Sequence, residues 1–281
     1  MKNFKKLFIL SIAMFTILLS APKVEAKMTF WDFKNKFVQT VKDFSGKAKN
    51  EYNKVKEELE QESTPASSTD VQEETEWNIV DYPDYWKSLG KSDIDFNQFP
   101  VNAGEYKYAK LDELGRTGTA YGVITLEKVR ESAGWRQSWK GDVDPSGFKG
   151  NNKKVKFKSS KTKGKFYEAD FYNRSHLIAD SLGGDSIKRN VVTGTRMQNV
   201  GKNNKKGGMQ YIEMKVLNYV KRTGKNVYYK AEPVYKENEL VPRYVIVNAK
   251  SEDGKINEKV LVFNTAEGYT IDYNTGKFHK N

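Results

Sequence analysis

Along the chain the apolar positions change period several times, and each change marks a boundary. Leu7 to Leu19 is a nearly unbroken apolar run, preceded by Lys2, Lys5 and Lys6 and followed by Val24-Glu25-Ala26. A basic start, a short apolar centre and small residues at the cleavage positions describe a secretory signal, so residues 1–26 are expected to be removed on export. The run falls short of the ~20 residues that a comfortable bilayer span requires, so no stable membrane insertion is expected after cleavage. Phe30, Phe33, Phe37, Val41 and Phe44 then recur at spacings of three and four, which places them on one face of a helix. Residues 27–62 read as an amphipathic helical segment, able to dock on its own domain, a partner or a membrane surface. From Ser63 to Glu76, Ser, Thr, Pro and acidic residues replace the apolar ones, the composition of a linker.

Residues 77–281 carry the patterns of one folded domain. Asp81 to Phe99 is aromatic and turn-rich, and reads as an irregular or short helical segment wrapped on the core. Val123, Ile124 and Thr125 make Tyr121 to Leu126 a strand by their β-branching. Phe166 to His176 is an aromatic-rich, strand-like run. It leads through a loop ending in Gly183-Gly184 to a short β-branched run at Asn190-Val191-Val192-Thr193. Met209, Ile212, Met214, Val216, Leu217 and Val220 then supply one side of a helix that Gly224 stops, with Glu213 one turn before Leu217. Asn226 to Tyr235, Leu240 to Ala249 and Lys259 to Asn264 read as successive strands of a mainly antiparallel sheet. Tyr269 to Tyr273 would add an edge strand. The tail from Lys277 to Asn281 is expected to fray, leaving His279 a surface residue without a role.

Charge sharpens this division. The 281 residues carry a formal +12; the three net positive charges of residues 1–26 cancel the three net negative charges of residues 27–80, so the excess lies on residues 81–281. A basic domain suits a polyanionic partner. Eight lysines fall between Lys149 and Lys165, where they could track phosphates or form a solvated loop. Trp135-Arg136-Gln137-Ser138-Trp139-Lys140, followed by Pro145-Ser146-Gly147-Phe148, interleaves aromatic and basic residues. Such a loop can stack a base and hold a phosphate, although paired tryptophans also serve as packing anchors. The chain has no cysteine, which excludes thiolate metal sites and Cys nucleophiles.

Of the two histidines, His176 sits between the aromatic strand and the Gly-Gly loop, where a side chain is both held and reachable. Asn173-Arg174-Ser175-His176, with Asn190, Val191 and Gln198-Asn199, resembles the DNA/RNA non-specific endonucleases of the ββα-metal type, above all the secreted streptodornase-type DNases. Leu111 to Thr117 is similar to the leader segment of those nucleases. The resemblance covers roughly the last two hundred residues. It implies an α+β fold with a ββα-metal core on a mainly antiparallel sheet, preceded by the N-terminal helix and linker. By resemblance His176 is the base, Asn199 the one protein ligand of Mg²⁺ (with Mn²⁺ or Ca²⁺ as substitutes), and Glu213 a helix carboxylate near the metal. Arg174 and Asn190 join the catalytic group, with Arg116, Arg196, Gln198 and Lys202 as substrate contacts. The commoner family motif reads Asp-Arg-Gly-His, and this chain departs from it at Asn173 and Ser175.

These residue types suit phosphodiester hydrolysis. An imidazole with an ordinary pKa near ~6.5 can take a proton from water at neutral pH. Mg²⁺ keeps most of its waters, so one neutral amide ligand leaves its charge available to a phosphate, and a guanidinium can clamp two phosphate oxygens. The expectation is a secreted, monomeric Mg²⁺-dependent endonuclease with little sequence preference, acting on DNA, with RNA left open. The alternative is a non-enzymatic basic surface protein that binds nucleic acid or another polyanion through its lysines.

Overall fold

The computed structural model describes residues 76–281 except residues 135, 136, 140, 160–163, 203 and 204. The expected signal, the amphipathic segment, the linker before Glu76, and Trp135, Arg136 and Lys140 lie outside the described residues. Twelve strands and three α-helices are described: β1 (Trp86–Ser88), β2 (Tyr106–Tyr108), β3 (Ala120–Ile124), α1 (Leu126–Glu131), β4 (Lys154–Lys158), β5 (Phe166–Asp170), β6 (Tyr172–His176), β7 (Val191–Thr195), α2 (Arg196–Val200), α3 (Met209–Thr223), β8 (Val227–Val234), β9 (Tyr244–Ser251), β10 (Asn257–Phe263), β11 (Tyr269–Ile271) and β12 (Phe278–Lys280).

Six strands form one sheet in the order β1-β10-β9-β8-β3-β2, every neighbouring pair antiparallel. Alternation drives its placement. Along β8, Val227, Tyr229, Ala231 and Pro233 point inward and are buried, while the residues between them are partly exposed. Pro233 is tolerated because β3 pairs with β8 only as far as Ala231, so the proline lies where β8 has lost one neighbour. Against this face packs α3, whose Ile212, Val216 and Val220 are fully buried with Val245, Val247 and Val260 of the sheet. Each such side chain contributes roughly 1.5–3 kcal/mol by leaving water. Gly224 ends α3 in the left-handed region, and its N–H bonds the Val220 carbonyl.

A second core lies around Tyr85, Phe148, Phe157, Phe171, Tyr172 and Met197, with Phe278 of β12 stacked on Phe171 at 3.7 Å between ring centroids. It supports two small ribbons, β4-β5 and β11-β12. The tail expected to fray is therefore a paired strand, because Phe278 reaches this aromatic core; His279 on it is exposed. Likewise the segment expected to be irregular or helical contains β1, which pairs with the edge of the main sheet. Helix α1, not expected, starts at Thr125, whose hydroxyl accepts from the Lys128 N–H. The lysine run also holds a strand. In β4, Val155 and Phe157 turn inward and Lys154, Lys156 and Lys158 outward.

Hairpin β6-β7 sits between the two cores. Phe171 and Tyr172 anchor its beginning in the aromatic core, while Leu177, Ile178 and Val192 anchor its other end in the main core. The strand ending at His176 is thus held from both directions.

Candidate active site

His176 is the last residue of β6 and pairs with Val191, the first of β7. It is buried, with 8% of its surface exposed, and its ring stacks on Trp139 with centroids 5.2 Å apart and planes 24° from parallel. The loop from Leu177 to Asn190 leaves and returns at this point, and Asn190 closes it. The Asn190 Oδ1 accepts from the Ile178 N–H at 2.9 Å, and its Nδ2 donates to the carbonyls of Ile178 and Asp185, each at 2.9 Å. Tyr106 donates to the Leu182 carbonyl at 2.6 Å, and Thr117 to those of Lys188 and Val191, so the segments around β2 and β3 brace the same loop.

After β7 the chain turns at once into α2. Thr195 caps it by accepting from the Gln198 N–H at 3.0 Å, and donates to the Thr265 carbonyl at 2.8 Å. This turn folds Asn199 back over β6, where the Ser175 hydroxyl donates to Asn199 Oδ1 at 3.3 Å. Gly194 permits the approach, since a Cβ there would run into Gln198 Oε1 and lie 2.5 Å from the Ser175 Cβ. Asn199 does not belong to the helix that carries Glu213. It lies instead inside the separate five-residue α2, and α3 begins beyond the turn at Gly207-Gly208. Gly208 has a positive φ and abuts the carbonyls of Met197 and Gln198. Its N–H bonds the Asp84 carbonyl at 2.9 Å, and the Trp86 indole donates to the Lys206 carbonyl at 3.0 Å, which ties this turn to the first strand.

One turn into α3 is Glu213, also 8% exposed. Burial alone pushes its carboxyl up to about 8, and no cation among the described residues offsets the cost. The buried Tyr229 hydroxyl nearby is raised in its turn by burial and by the Glu213 charge. An isolated buried carboxylate is costly unless a cation or hydrogen bonds compensate it.

The remaining candidates divide. Arg174 donates through Nε and Nη2 to Asp144 Oδ1 at 2.8 and 2.6 Å, and lies over the rings of Phe148 and Trp139. Arg196, at the start of α2, donates to the Tyr167 hydroxyl at 3.4 Å and lies over that ring; Lys202 follows α2, half-buried. Three of the expected site residues are engaged elsewhere in the fold. Asn190 was placed with the catalytic residues, but its amide is spent on the loop backbone. Gln198 was expected to touch substrate and is wholly buried, because α2 turns this residue inward over Gly194 while Asn199 faces out. Arg116 was also expected at the substrate; its Nε binds Asp112 at 2.6 Å and its Nη1 donates to the carbonyls of Glu237 and Glu239, so it fastens the leader segment to the connection between β8 and β9.

The lysine run is also partly neutralised. Opposite the outward lysines of β4 stand Asp170 facing Lys154 and Glu168 facing Lys156, while Lys158 pairs with Glu267 at 2.6 Å. Sequence reasoning treated Trp139 as a candidate platform for a nucleobase. In the fold one face of its indole is taken by His176, and no local pattern announces a contact between positions so far apart in the chain.

A divalent cation fits here. No group of three His, Cys, Asp or Glu side chains among the described residues could hold a metal ion. The donors on offer are the Asn199 carbonyl oxygen, which keeps a lone pair after accepting from Ser175, and the uncompensated Glu213 carboxyl. So few protein ligands suit a divalent cation that keeps part of its hydration shell.

A model of the DNA/RNA non-specific endonuclease family matches residues 93–280. A deoxyribonuclease of Streptococcus dysgalactiae subsp. equisimilis is 38% identical over 240 residues, spanning 70% of this chain and 73% of the relative. Among solved structures, the Sda1 nuclease with bound zinc ion superposes with a TM-score of 0.69 at 38% identity, covering 73% of this chain and 100% of that one. NucA from Streptococcus agalactiae with magnesium ion bound gives a TM-score of 0.53 at 25% identity, covering 68% of this chain and 85% of that one.

Proposed function

The chain belongs to the DNA/RNA non-specific endonuclease family, and from that premise we propose that it is an exported, Mg²⁺-dependent endonuclease that hydrolyses phosphodiester bonds of DNA with His176 as general base. The observation that carries this reading is the hydrogen bond from Ser175 to Asn199, which sets an amide oxygen beside the strand that ends in the one buried histidine. Membership in a nuclease family decides against the non-enzymatic polyanion binder. Export rests on the signal pattern of residues 1–26.

In the proposed reaction a water oxygen attacks phosphorus, the bond from phosphorus to the leaving 3′-oxygen breaks, and His176 accepts the proton that the water gives up. Asn199 would hold the cation through Oδ1, with Ser175 fixing the amide so that this oxygen and not the NH₂ faces it. Glu213, in the first turns of α3, would be the carboxylate near the cation. When bound, Mg²⁺ supplies charge stabilisation to the phosphate and the leaving oxygen. Arg196 and Lys202 flank Asn199 in sequence and are the nearest candidates for phosphate contact. Contacts to phosphate read no base edges, so little sequence preference is expected.

The direct test is incubation of the purified chain with supercoiled plasmid. Nicking in Mg²⁺ that stops in EDTA is the expected result. Binding without nicks under any divalent metal would refute the reading.

A further inference from the structure

The stack between His176 and Trp139 joins two separate parts of the chain: His176 ends β6, and Trp139 lies between α1 and β4. The indole is itself held in place. The Arg174 guanidinium carbon lies 5.8 Å from the indole centroid and 4.8 Å from that of Phe148, and Asp144 fixes that guanidinium. Two residues before Trp139, the Gln137 side chain accepts from the Ser186 N–H at 3.3 Å and its carbonyl from the Ser186 hydroxyl at 3.4 Å. The segment is thereby tied to the loop that Asn190 closes.

Such an arrangement has a chemical consequence. The lone pair with which an imidazole accepts a proton lies in the ring plane, so a partner stacked on the ring face does not occupy that lone pair. The same partner restricts rotation about the last side-chain bond and sets where the edge points. An indole face also attracts a cation, so it favours the imidazolium that forms when the proton arrives.

We propose that Trp139 is a positioning residue for His176, holding the plane of the imidazole so that a ring nitrogen is presented edge-on to the substrate. The proposal rests on the reading of His176 as the base. It assigns Trp139 to turnover, whereas a platform for a nucleobase would act on substrate affinity.

The test uses the full chain carrying Trp139→Leu or Trp139→Phe, alongside His176→Gly. Trp139 is half-buried, so Trp139→Leu should fold; should it not, Trp139→Met removes the ring with a longer, unbranched side chain that adapts to the space and carries the same expectation. Trp139→Leu is expected to lower kcat about tenfold or more with KM within about twofold, while Trp139→Phe recovers most of the rate. An unchanged kcat, or a loss confined to KM, would overturn the proposal. A second measurement reads the stack itself: imidazole should restore His176→Gly at several-fold lower concentration than it restores His176→Gly with Trp139→Leu. Equal rescue in both backgrounds dismisses the stack and leaves the base in place. A fully active His176→Gly protein dismisses the base assignment itself.

Discussion

The Ser175 hydroxyl lies 3.3 Å from Asn199 Oδ1, and this one bond joins the strand that ends at His176 to the short helix that follows β7. Where the commoner family motif has Gly, this chain has a buried donor, so the amide oxygen is oriented by a side chain. Ser175→Ala keeps the Cβ that packs near Gly194 and removes only the donor. A lost hydrogen bond of about 0.5–1.5 kcal/mol corresponds to a roughly two- to tenfold rise in the Mg²⁺ concentration for half-maximal activity, with kcat at saturating metal nearly unchanged. A metal titration of the activity checks this, and an unmoved midpoint would show that Asn199 is oriented without Ser175.

Glu213 predicts a pH dependence of stability. Its carboxyl is raised by burial from 4.5 to about 8, so the folded state binds more protons than the unfolded one between those values. Without metal, the contribution is fully present below about pH 4.5 and is lost as pH rises through about 8. It amounts to at most roughly 5 kcal/mol. Denaturant unfolding in EDTA at several pH values should show this fall in the parent and a flatter profile in Glu213→Gln. Added Mg²⁺ should shrink the difference, because a nearby cation favours the carboxylate. Identical profiles for parent and variant would contradict the assignment.

Asn190 should behave as a structural residue. Asn190→Ala strands the Ile178 N–H and two carbonyls in a buried loop, at a cost of about 2–4 kcal/mol. Thermal unfolding should reveal that loss, while kcat per folded molecule at low temperature stays within a few-fold of the parent. A stable but inactive variant would return Asn190 to the chemistry.

Much of the scaffold was legible in the sequence because its signals are long and periodic. The buried face of α3, its stop at Gly224 and the alternation of β8 follow from residue spacing alone. What escaped was short or tertiary. Strands β1 and β2 have three residues each, too few to show a period, and β4 was masked by its lysines although Val155 and Phe157 alternate with them. At the site, the sequence named the motif residues but not how the fold engages each of them. Gln198 and Asn199 are adjacent, and only the placement of α2 over Gly194 decides which is buried. The amide of Asn190 is likewise spent on backbone groups, and the guanidinium of Arg116 on Asp112 and on the distant carbonyls of Glu237 and Glu239, which no local pattern reveals.

The central claim is that His176 handles the proton while Asn199 holds the metal, and the comparison of His176→Ala with Asn199→Ala across a Mg²⁺ titration tests it most directly. His176→Ala should lower turnover by about 10²-fold or more at every metal concentration, with the fold and nucleic-acid affinity retained. Asn199→Ala should instead recover part of its lost rate as Mg²⁺ rises. A His176→Ala protein that cleaves plasmid as fast as the parent would contradict the account.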